Sequence, residues 1–338
     1  MKSSRIYSLF TLMAVSMLLS GCSGKKYFKP TKTYAAPTIS YGEKIIDLSG
    51  NGATLKSGRY VGNLGLSRIN LGEGYRFLNQ NTRYVLASNA EGILNIIDKN
   101  TKKSARAVSL HVPVVSATIK DGIVAYILNN NTFGLYKIKD NNKIVENRSE
   151  RTYAIDTKAA SPLFIDNLAV MPMLDGKIII VDIFNSDNTK VVYISSKKAF
   201  NNVIHLSRMD NTLVAATPNK IITLGGNGKQ EFVANISELV VSSGYIYVFT
   251  KEGGIVKLDD SLNVVAKTKF KFAHYAAATV FNSKVFVLDQ QGSLIVLSSD
   301  LKKSKIYALG LLSNPAFIAG SKLYKDGKII ELYKLGYE

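Results

Sequence analysis

The chain has 338 residues, with 43 lysines and arginines against 25 aspartates and glutamates, and its formal net charge is +18 at pH 7. Nine of the basic residues are arginine, and the lysines are scattered along the chain rather than gathered into a basic helix or an RNA-binding signature. The charge therefore does not indicate nucleic-acid binding. Because Cys22 is the one cysteine, disulfide bonds within the chain are excluded and the core must hold the fold.

The first 21 residues have the organisation of an export signal. Lys2 and Arg5 precede an apolar run over residues 6–19, which is too short to span ~30 Å of hydrocarbon as a helix. This order predicts a lipoprotein signal that is cut between Gly21 and Cys22, with diacylglycerol on the thiol and a further acyl chain such as palmitate on the new amino end. Two or three acyl chains would hold the protein on a bilayer. An ordinary secretory signal with an incidental cysteine is the alternative.

Residues 22–43 are predicted to form a flexible tether behind the lipidated cysteine. Scattered lysines together with Pro30 and Pro37 disfavour a helix or a core, and about twenty extended residues reach some tens of ångströms. Ser23 stands where an aspartate would favour retention at the inner membrane in the sorting pathway of such lipoproteins. The expected location is the outer membrane, on its periplasmic face, although the inner membrane and the opposite face stay open.

From Tyr75 onwards the sequence repeats a unit of about 35 to 42 residues. Each unit has an apolar strand, a polar turn, a second apolar strand and a turn rich in Lys, Asn and Asp. Further strand-like stretches lie before and after each pair, so one unit supplies four short strands, which is the period of a β-propeller blade. The clearest second strands begin at glycines: Gly92, Gly176, Gly254, Gly292 and Gly327.

We therefore predict an all-β fold in which residues 44–338 form a single β-propeller of four-stranded antiparallel blades. A β-sandwich is the alternative. Seven units are counted between Tyr75 and the C-terminus, and the last lacks its fourth strand, so an N-terminal strand is predicted to complete that blade and close the ring. An eighth, degenerate blade built from residues 38–74 together with the C-terminus is the alternative count. Pairs such as Asp121-Gly122 suit the tight hairpin turns that such blades need.

The lipoprotein signal followed by a ring of Asp/Gly-punctuated blades resembles bacterial lipoproteins with propeller repeats of the pyrroloquinoline-quinone type. These include the propeller lipoprotein of the outer-membrane β-barrel assembly machinery. The resemblance covers nearly the whole mature chain. That repeat usually carries a tryptophan that docks one blade on the next, and this chain has none. Aliphatic residues such as Ile97 and Val181 are expected to pack between the blades instead.

The sequence contains few residues at spacings that suit catalysis or metal binding. His111, His205 and His274 are separated by about 70 to 95 residues and are predicted in different blades, so no zinc site is expected. The stretch 225–229 (Gly-Gly-Asn-Gly-Lys) lacks the spacing and the Ser or Thr of a phosphate loop, and is predicted to be a hairpin turn. No catalytic residue, metal or cofactor is predicted, and the chain is not expected to be an enzyme.

The resemblance implies a non-catalytic scaffold that uses its propeller loops for protein–protein interaction in outer-membrane assembly. Its partner would be the membrane-embedded protein that inserts β-barrels, or a nascent barrel strand that adds to a blade edge. The lipid bilayer would be held through the acyl chains on Cys22. One alternative is an envelope or surface lipoprotein that binds a polysaccharide or host ligand. The other is a propeller enzyme, either quinoprotein-like or a hydrolase, with convergent groups in its central channel.

Overall fold

A computed structural model describes residues 26–152, 158–196, 201–226 and 228–338. The predicted signal peptide 1–21, and with it Gly21, lies outside these ranges, and so does Cys22. The described residues form 33 β-strands and one short 3-10 helix, Leu332–Lys334. Among them, no helix is long and apolar enough to cross a bilayer. The all-β class is confirmed.

The strands of the described residues build a ring of eight four-stranded blades. The preferred prediction was seven blades, and the alternative prediction of eight blades gives the observed number. Two short strands, β1 (Tyr34–Ala35) and β2 (Thr38–Ser40), come first in the chain. Blades 1 to 3 follow: blade 1 has β3 (Ile45–Ser49), β4 (Gly52–Leu55), β5 (Tyr60–Gly62) and β6 (Gly65–Leu66); blade 2 has β7 (Arg76–Gln80), β8 (Tyr84–Ser88), β9 (Ile93–Asp98) and β10 (Ser104–Ser109); and blade 3 has β11 (Val114–Lys120), β12 (Ile123–Leu128), β13 (Thr132–Lys137) and β14 (Asn142–Arg148).

Blade 4 has β15 (Leu163–Ile165), β16 (Leu168–Pro172), β17 (Lys177–Asp182) and β18 (Thr189–Tyr193); blade 5 has β19 (His205–Met209), β20 (Thr212–Thr217), β21 (Lys220–Gly225) and β22 (Gly228–Val233); and blade 6 has β23 (Ile236–Ser242), β24 (Tyr245–Thr250), β25 (Gly254–Leu258) and β26 (Val264–Lys269). Blade 7 has β27 (Tyr275–Phe281), β28 (Lys284–Asp289), β29 (Ser293–Ser298) and β30 (Ser304–Ala308), and blade 8 has β31 (Phe317–Ala319), β32 (Lys322–Lys325) and β33 (Lys328–Glu331).

The first strand of each blade lies at the middle of the ring and the fourth strand at its rim. First strands of neighbouring blades contact one another, for example β7 with β11 and β23 with β27. Fourth strands such as β14 and β26 are the most exposed. The ring is closed because β31 of blade 8 contacts β4 and β5 of blade 1.

The closing strand comes from the N-terminus, as predicted. Strand β2 pairs antiparallel with β33, with Ile39 opposite Ile329, and so supplies the fourth strand of blade 8. Strand β1 adds in parallel to the outer edge of β30 and makes blade 7 five-stranded. Both strands lie inside the stretch 22–43 that was expected to be a flexible tether. The described part of that stretch is therefore bound along the rim of the ring.

Blade 1 is formed by other residues than those predicted for the eighth blade. Residues 45–66 form all four of its strands by themselves, whereas the alternative prediction combined residues 38–74 with the C-terminus. The C-terminal strands instead belong to blade 8, which β2 completes. The ring therefore gains a blade without using any C-terminal strand in blade 1.

Recurring glycines of the repeat such as Gly92 and Gly292 lie at a close backbone crossing inside their blades. The carbonyl of Gly92 accepts a hydrogen bond of 2.9 Å from the Leu110 N–H, and the carbonyl of Gly292 accepts one of 2.8 Å from Leu309. Gly292 has φ +85°, and a Cβ there would lie 1.7 Å from the carbonyl oxygen of Gly310. Only glycine fits this crossing, because it has neither the Cβ nor the steric bar to positive φ.

The core consists of aliphatic and aromatic side chains that fill the layers between blades. Ile97 is buried in a cluster with Tyr60 of blade 1, and Val181 is buried in a cluster with Ile127 of blade 3. These two residues do the packing that the missing tryptophan would do, as the sequence predicted. Tyr60 also stacks on Phe77 of the next blade, with ring centroids 4.6 Å apart.

Candidate functional site

The middle of the ring is crossed by contacts between blades that are not neighbours. Asn51, in the turn between β3 and β4, donates a hydrogen bond of 2.5 Å from Nδ2 to Ser161 Oγ, just before β15 of blade 4. The ammonium of Lys158 forms an ion pair with Glu238 on β23 of blade 6 and donates a 2.9 Å hydrogen bond to the carbonyl of Ser237. Residues 158–161, which lead into blade 4, therefore contact both blade 1 and blade 6.

The side chains beside this crossing are polar and are held by their neighbours. Burial raises the pKa of Asp47 on β3, and the positive charge of Arg76 opposes that rise. Asn79 on β7 donates hydrogen bonds of 3.1 and 2.9 Å to the Ala117 carbonyl and to Thr118 Oγ1 of blade 3. These groups bind adjacent blades together. Within the described ranges no group of three or more His, Cys, Asp or Glu side chains is placed to hold a metal ion.

The three histidines lie in separate parts of the ring. His111 lies in the connection that follows β10, with Nδ1 3.4 Å from Ser109 Oγ. His205 begins β19; burial lowers its pKa to about 4, and its Nε2 lies 2.8 Å from Ser207 Oγ. The backbone N–H of His274, before β27, donates a 2.8 Å hydrogen bond to a carboxylate oxygen of Asp289. The structure brings none of these described imidazoles together with another.

The glycine-rich stretch 225–229 lies at the hairpin between β21 and β22, where Gly225 pairs with Gly228. The hairpin predicted there is confirmed, and Asn227 lies outside the described residues. Next to it, an open cleft of about 310 Å³ separates blade 5 from blade 6. Its lining is largely polar and consists of Met209, Asp210, Thr212, Ser243, Gly244, Tyr245, Asp259 and Asp260.

The hairpin formed by β17 and β18 of blade 4 carries several exposed apolar side chains. Phe184, in the loop between these strands, is 87% exposed, and Tyr193 at the end of β18 is 55% exposed. Val191 is also exposed, two residues before Tyr193, so the two side chains share one face of the edge strand. The Tyr193 carbonyl accepts a 3.0 Å hydrogen bond from Lys229 Nζ of blade 5, which ties this end of the strand to the ring. We call Phe184, Val191 and Tyr193 the blade 4 edge surface.

Sequence reasoning missed both the crossing in the middle and the blade 4 edge surface. Asn51 and Ser161 are 110 residues apart, and Lys158 and Glu238 are 80 residues apart, so no local pattern could pair them. The signal that was available for the edge surface is the apolar Phe184 directly before the polar stretch 185–190, between two strands.

Two plasminogen-binding proteins resemble the chain over most of its length. No protein-family model matches it. The plasminogen-binding protein PgbB of Helicobacter pylori strain J99 is 26% identical over 367 aligned positions, which cover 94% of this chain and 68% of PgbB. PgbB of strain 26695 is 25% identical and covers the same share of the chain and 67% of its own length.

Solved propellers share the fold at low sequence identity. BamB from Moraxella catarrhalis superposes with a TM-score of 0.65 at 15% identity, covering 88% of this chain and 98% of BamB. The computationally designed protein Ika8 superposes with a TM-score of 0.63 at 11% identity, with the same coverage. The resemblance in fold to the propeller lipoprotein of the barrel-assembly machinery is therefore confirmed, and at these identities it concerns the fold alone.

Proposed function

We propose that the chain is a lipid-anchored propeller of the cell envelope that binds a protein partner, and that plasminogen is the first partner to test. The observation that carries this proposal is the similarity of 94% of the chain to proteins named for plasminogen binding. The lipoprotein signal predicted over residues 1–21, directly before Cys22, supports the anchor. The host-ligand alternative of the sequence analysis thus becomes the preferred hypothesis.

The blade 4 edge surface is our candidate for the contact region. Large aromatic side chains dominate the energetics of protein interfaces, and exposed apolar groups mark such sites. Phe184 and Tyr193 expose their rings on the same hairpin. Val192, which lies between Val191 and Tyr193 on β18, packs against the core and keeps the strand in place. A partner that covers this hairpin would bury apolar area without a rearrangement of the blade.

The surplus of positive charge gives the proposed interaction a second component. The 43 basic residues outnumber the 25 acidic ones, so a negatively charged partner surface would be attracted over a distance of about one Debye length. Binding is proposed in preference to catalysis because the polar groups around the central crossing are used to join blades. We accordingly propose no catalytic role for Asp47, Lys158 or Glu238.

A binding measurement with matched surface variants tests this proposal. Purified protein would be immobilised and exposed to plasminogen over a range of concentrations and of salt. We expect saturable binding that weakens as salt rises, and at least a tenfold loss of affinity when Phe184→Ser and Tyr193→Ser are combined. Tyr333→Ser, in the 3-10 helix after β33 and with a side chain about as exposed as that of Tyr193, is the control and should keep the affinity. Absence of saturable binding would exclude plasminogen as the partner, and equal losses in both variants would exclude the blade 4 edge surface.

A role in outer-membrane protein assembly is the second candidate, favoured by the pairing of β1 with β30. This pairing demonstrates that an outer blade edge accepts an added extended segment, which is how a nascent barrel strand would bind. Gentle-detergent recovery of a C-terminally tagged form from isolated outer membranes, followed by mass spectrometry, tests this role. Stoichiometric recovery of the barrel-assembly core would support it, and recovery of the protein without that core from membranes where the core is intact would exclude it.

A further inference from the structure

The N-terminal segment is fixed to the rim of the ring from its first described residues. Phe28 packs edge-on against Phe270, which follows β26 of blade 6, with ring centroids 5.7 Å apart and an interplanar angle of 80°. Phe28 also joins the apolar cluster that fills the layer between blades 6 and 7. Beyond it, β1 and β2 continue along blades 7 and 8. The segment therefore leaves the rim at blade 6.

This attachment shortens the distance between the folded ring and the proposed lipid on Cys22. Lys26 is the first described residue, and four peptide units separate it from Cys22. Four units reach at most ~14 Å when fully extended. A tether of about twenty free residues would have allowed several times that distance. The surface around Lys26 is thus the part of the ring that must stay closest to a bilayer holding an acylated Cys22.

The surface around Lys26 carries positive charge and aromatic rings together. The ammonium groups of Lys26 and Lys271 lie 5.7 and 5.1 Å from the centre of the Phe272 ring, which is 37% exposed. Tyr27 is also exposed at 40%. We call the surface formed by these four residues and Lys269 the blade 6 rim.

Few acidic residues accompany the lysines of the blade 6 rim. Residues 22–42 contain four lysines and no acidic residue, and residues 264–274 contain three lysines and no acidic residue. Glu252, in the turn between β24 and β25, is the acidic side chain whose pKa the charge of Lys269 helps to lower. The two segments that form this rim therefore carry lysines and no acidic residue of their own.

We propose that the blade 6 rim rests on an anionic bilayer surface beside the lipid anchor. Lysines close to a membrane are attracted by anionic headgroups, and this attraction fades within a Debye length. Aromatic rings such as Phe272 and Tyr27 suit the interface between headgroups and acyl chains, where one end is apolar and the other wet. The proposal rests on the lipid anchor of the proposed function and adds the orientation of the ring on the membrane. The blade 4 edge surface, on a blade two positions away, then stays available for a protein partner.

Lipid-borne quenching of a single attached fluorophore tests the orientation. Because lipidation consumes the thiol of Cys22, Phe272→Cys in the full chain supplies the one free thiol for labelling. The acylated protein would be reconstituted into vesicles of phosphatidylethanolamine and phosphatidylglycerol that contain brominated acyl chains. We expect at least threefold stronger quenching at position 272 than at position 184 in the matched variant Phe184→Cys, and a loss of that difference when Lys269→Glu and Lys271→Glu are added.

The outcomes separate the orientation from the anchor. A mass that lacks acyl chains, together with labelling of Cys22 itself, would overturn the anchor. An acylated protein with equal quenching at positions 272 and 184 would overturn the blade 6 rim while the anchor stands. Labelling at Lys271→Cys gives an independent position on the same rim, and quenching at both 271 and 272 is the result expected. Quenching that persists in vesicles of phosphatidylcholine alone would overturn the role of anionic headgroups.

Discussion

The side chains of Asn51 and Ser161 form a hydrogen bond of 2.5 Å across the middle of the ring, between blade 1 and the chain that enters blade 4. The carbonyl oxygen of Ala159 lies so near Gly50 that a Cβ on this glycine would be 3.0 Å away. The turn at residues 50–51 is thus packed against residues 159–161, which lead into blade 4. The contact joins blades that two other blades separate, so it resists opening of the ring as a whole.

Removal of this hydrogen bond is expected to destabilise the ring. Asn51→Ala leaves Ser161 without its donor, and the loss of one partly buried hydrogen bond costs about 1 kcal/mol. Thermal unfolding followed by circular dichroism should show a decrease of about 2 to 4 °C in Tm. Asn100→Ala, at an exposed turn after β9, is the control and should leave Tm within a degree or so. Equal Tm values for the two variants would contradict a stabilising role for the hydrogen bond between Asn51 and Ser161.

A side chain at Gly292 is expected to disrupt blade 7. Gly292→Ala would place a Cβ 1.7 Å from the carbonyl oxygen of Gly310, on a backbone with φ +85°. Gly74→Ala separates the two effects, because Gly74 has φ +75° with open space around it. Positive φ alone costs alanine about 1–2 kcal/mol, so denaturant unfolding should show a loss of that size at Gly74 and a clearly larger loss, or no folded protein, at Gly292. A smaller loss at Gly292 than at Gly74 would refute the backbone crossing.

The closure of the ring depends on Tyr41, directly after β2. Its N–H donates a 2.9 Å hydrogen bond to the Gly327 carbonyl, and its ring packs edge-on against Tyr324 at 5.6 Å. Its buried hydroxyl has no hydrogen-bond partner among the described residues, and burial raises its pKa to about 12. Tyr41→Phe should therefore be neutral or slightly stabilising, whereas Tyr41→Ala should cost about 3–5 kcal/mol through lost packing. Chemical denaturation of the two variants decides the point, and a large loss in Tyr41→Phe would disprove the unpaired hydroxyl.

The clear copies of the repeat could be read from the sequence because turn chemistry and apolar strands agree there. Strand β9 is found at Ile93–Asp98, directly after Gly92, where the pattern predicted a second strand. The turn at Asp121-Gly122 has φ +49° and +76°, as a tight hairpin requires. In blade 6 the second strand, β25, begins at Gly254 as predicted. The backbone crossing of this blade uses the preceding Gly253, whose carbonyl accepts a hydrogen bond from the Phe270 N–H.

The count of blades could not be read in the same way. Blade 1 has strands of five, four, three and two residues, and Gly52, Gly62 and Gly65 lie within them. Glycine weakens the strand signal in a sequence because it has no side chain to pack. These strands are fixed by contacts with their neighbours, such as the 2.8 Å hydrogen bond from the Phe77 N–H to Thr54 Oγ1. Such a contact between blades cannot be predicted from the alternation of apolar and polar residues along the sequence.

The bound part of the predicted tether was hidden by its polar composition. Edge strands tolerate polar residues and proline nearby, since they pair on one side only. Strand β2 (Thr38–Ser40) is exposed along its whole length, and Pro37 separates it from β1. Its partner β33 is nearly 300 residues away in sequence, so the pairing leaves no local mark. The closing strand was predicted instead from the missing fourth strand of the last unit.

His205 is expected to make the protein less stable in mild acid. Its pKa is lowered by burial to about 4 in the folded chain, against 6.5 for an ordinary histidine. Above pH 6.5 both states are neutral and the group has no effect. Between pH 6.5 and 4 the unfolded chain binds a proton that the folded chain does not, so stability falls as the pH falls, by up to about 3 kcal/mol.

The contribution of His205 is measured as the difference between the wild type and His205→Gln. Half-buried Asp47 and buried Asp289 have pKa values raised by burial and favour the folded state as the pH falls towards 3.8. They act with the opposite sign to His205 in both proteins, so their contribution cancels in the difference. Denaturant unfolding at pH 7.5, 6.0 and 5.0 should show a loss of stability in the wild type that is clearly smaller in the variant. Parallel pH profiles would mean that the imidazole titrates normally, and the environment assigned to β19 would then be wrong.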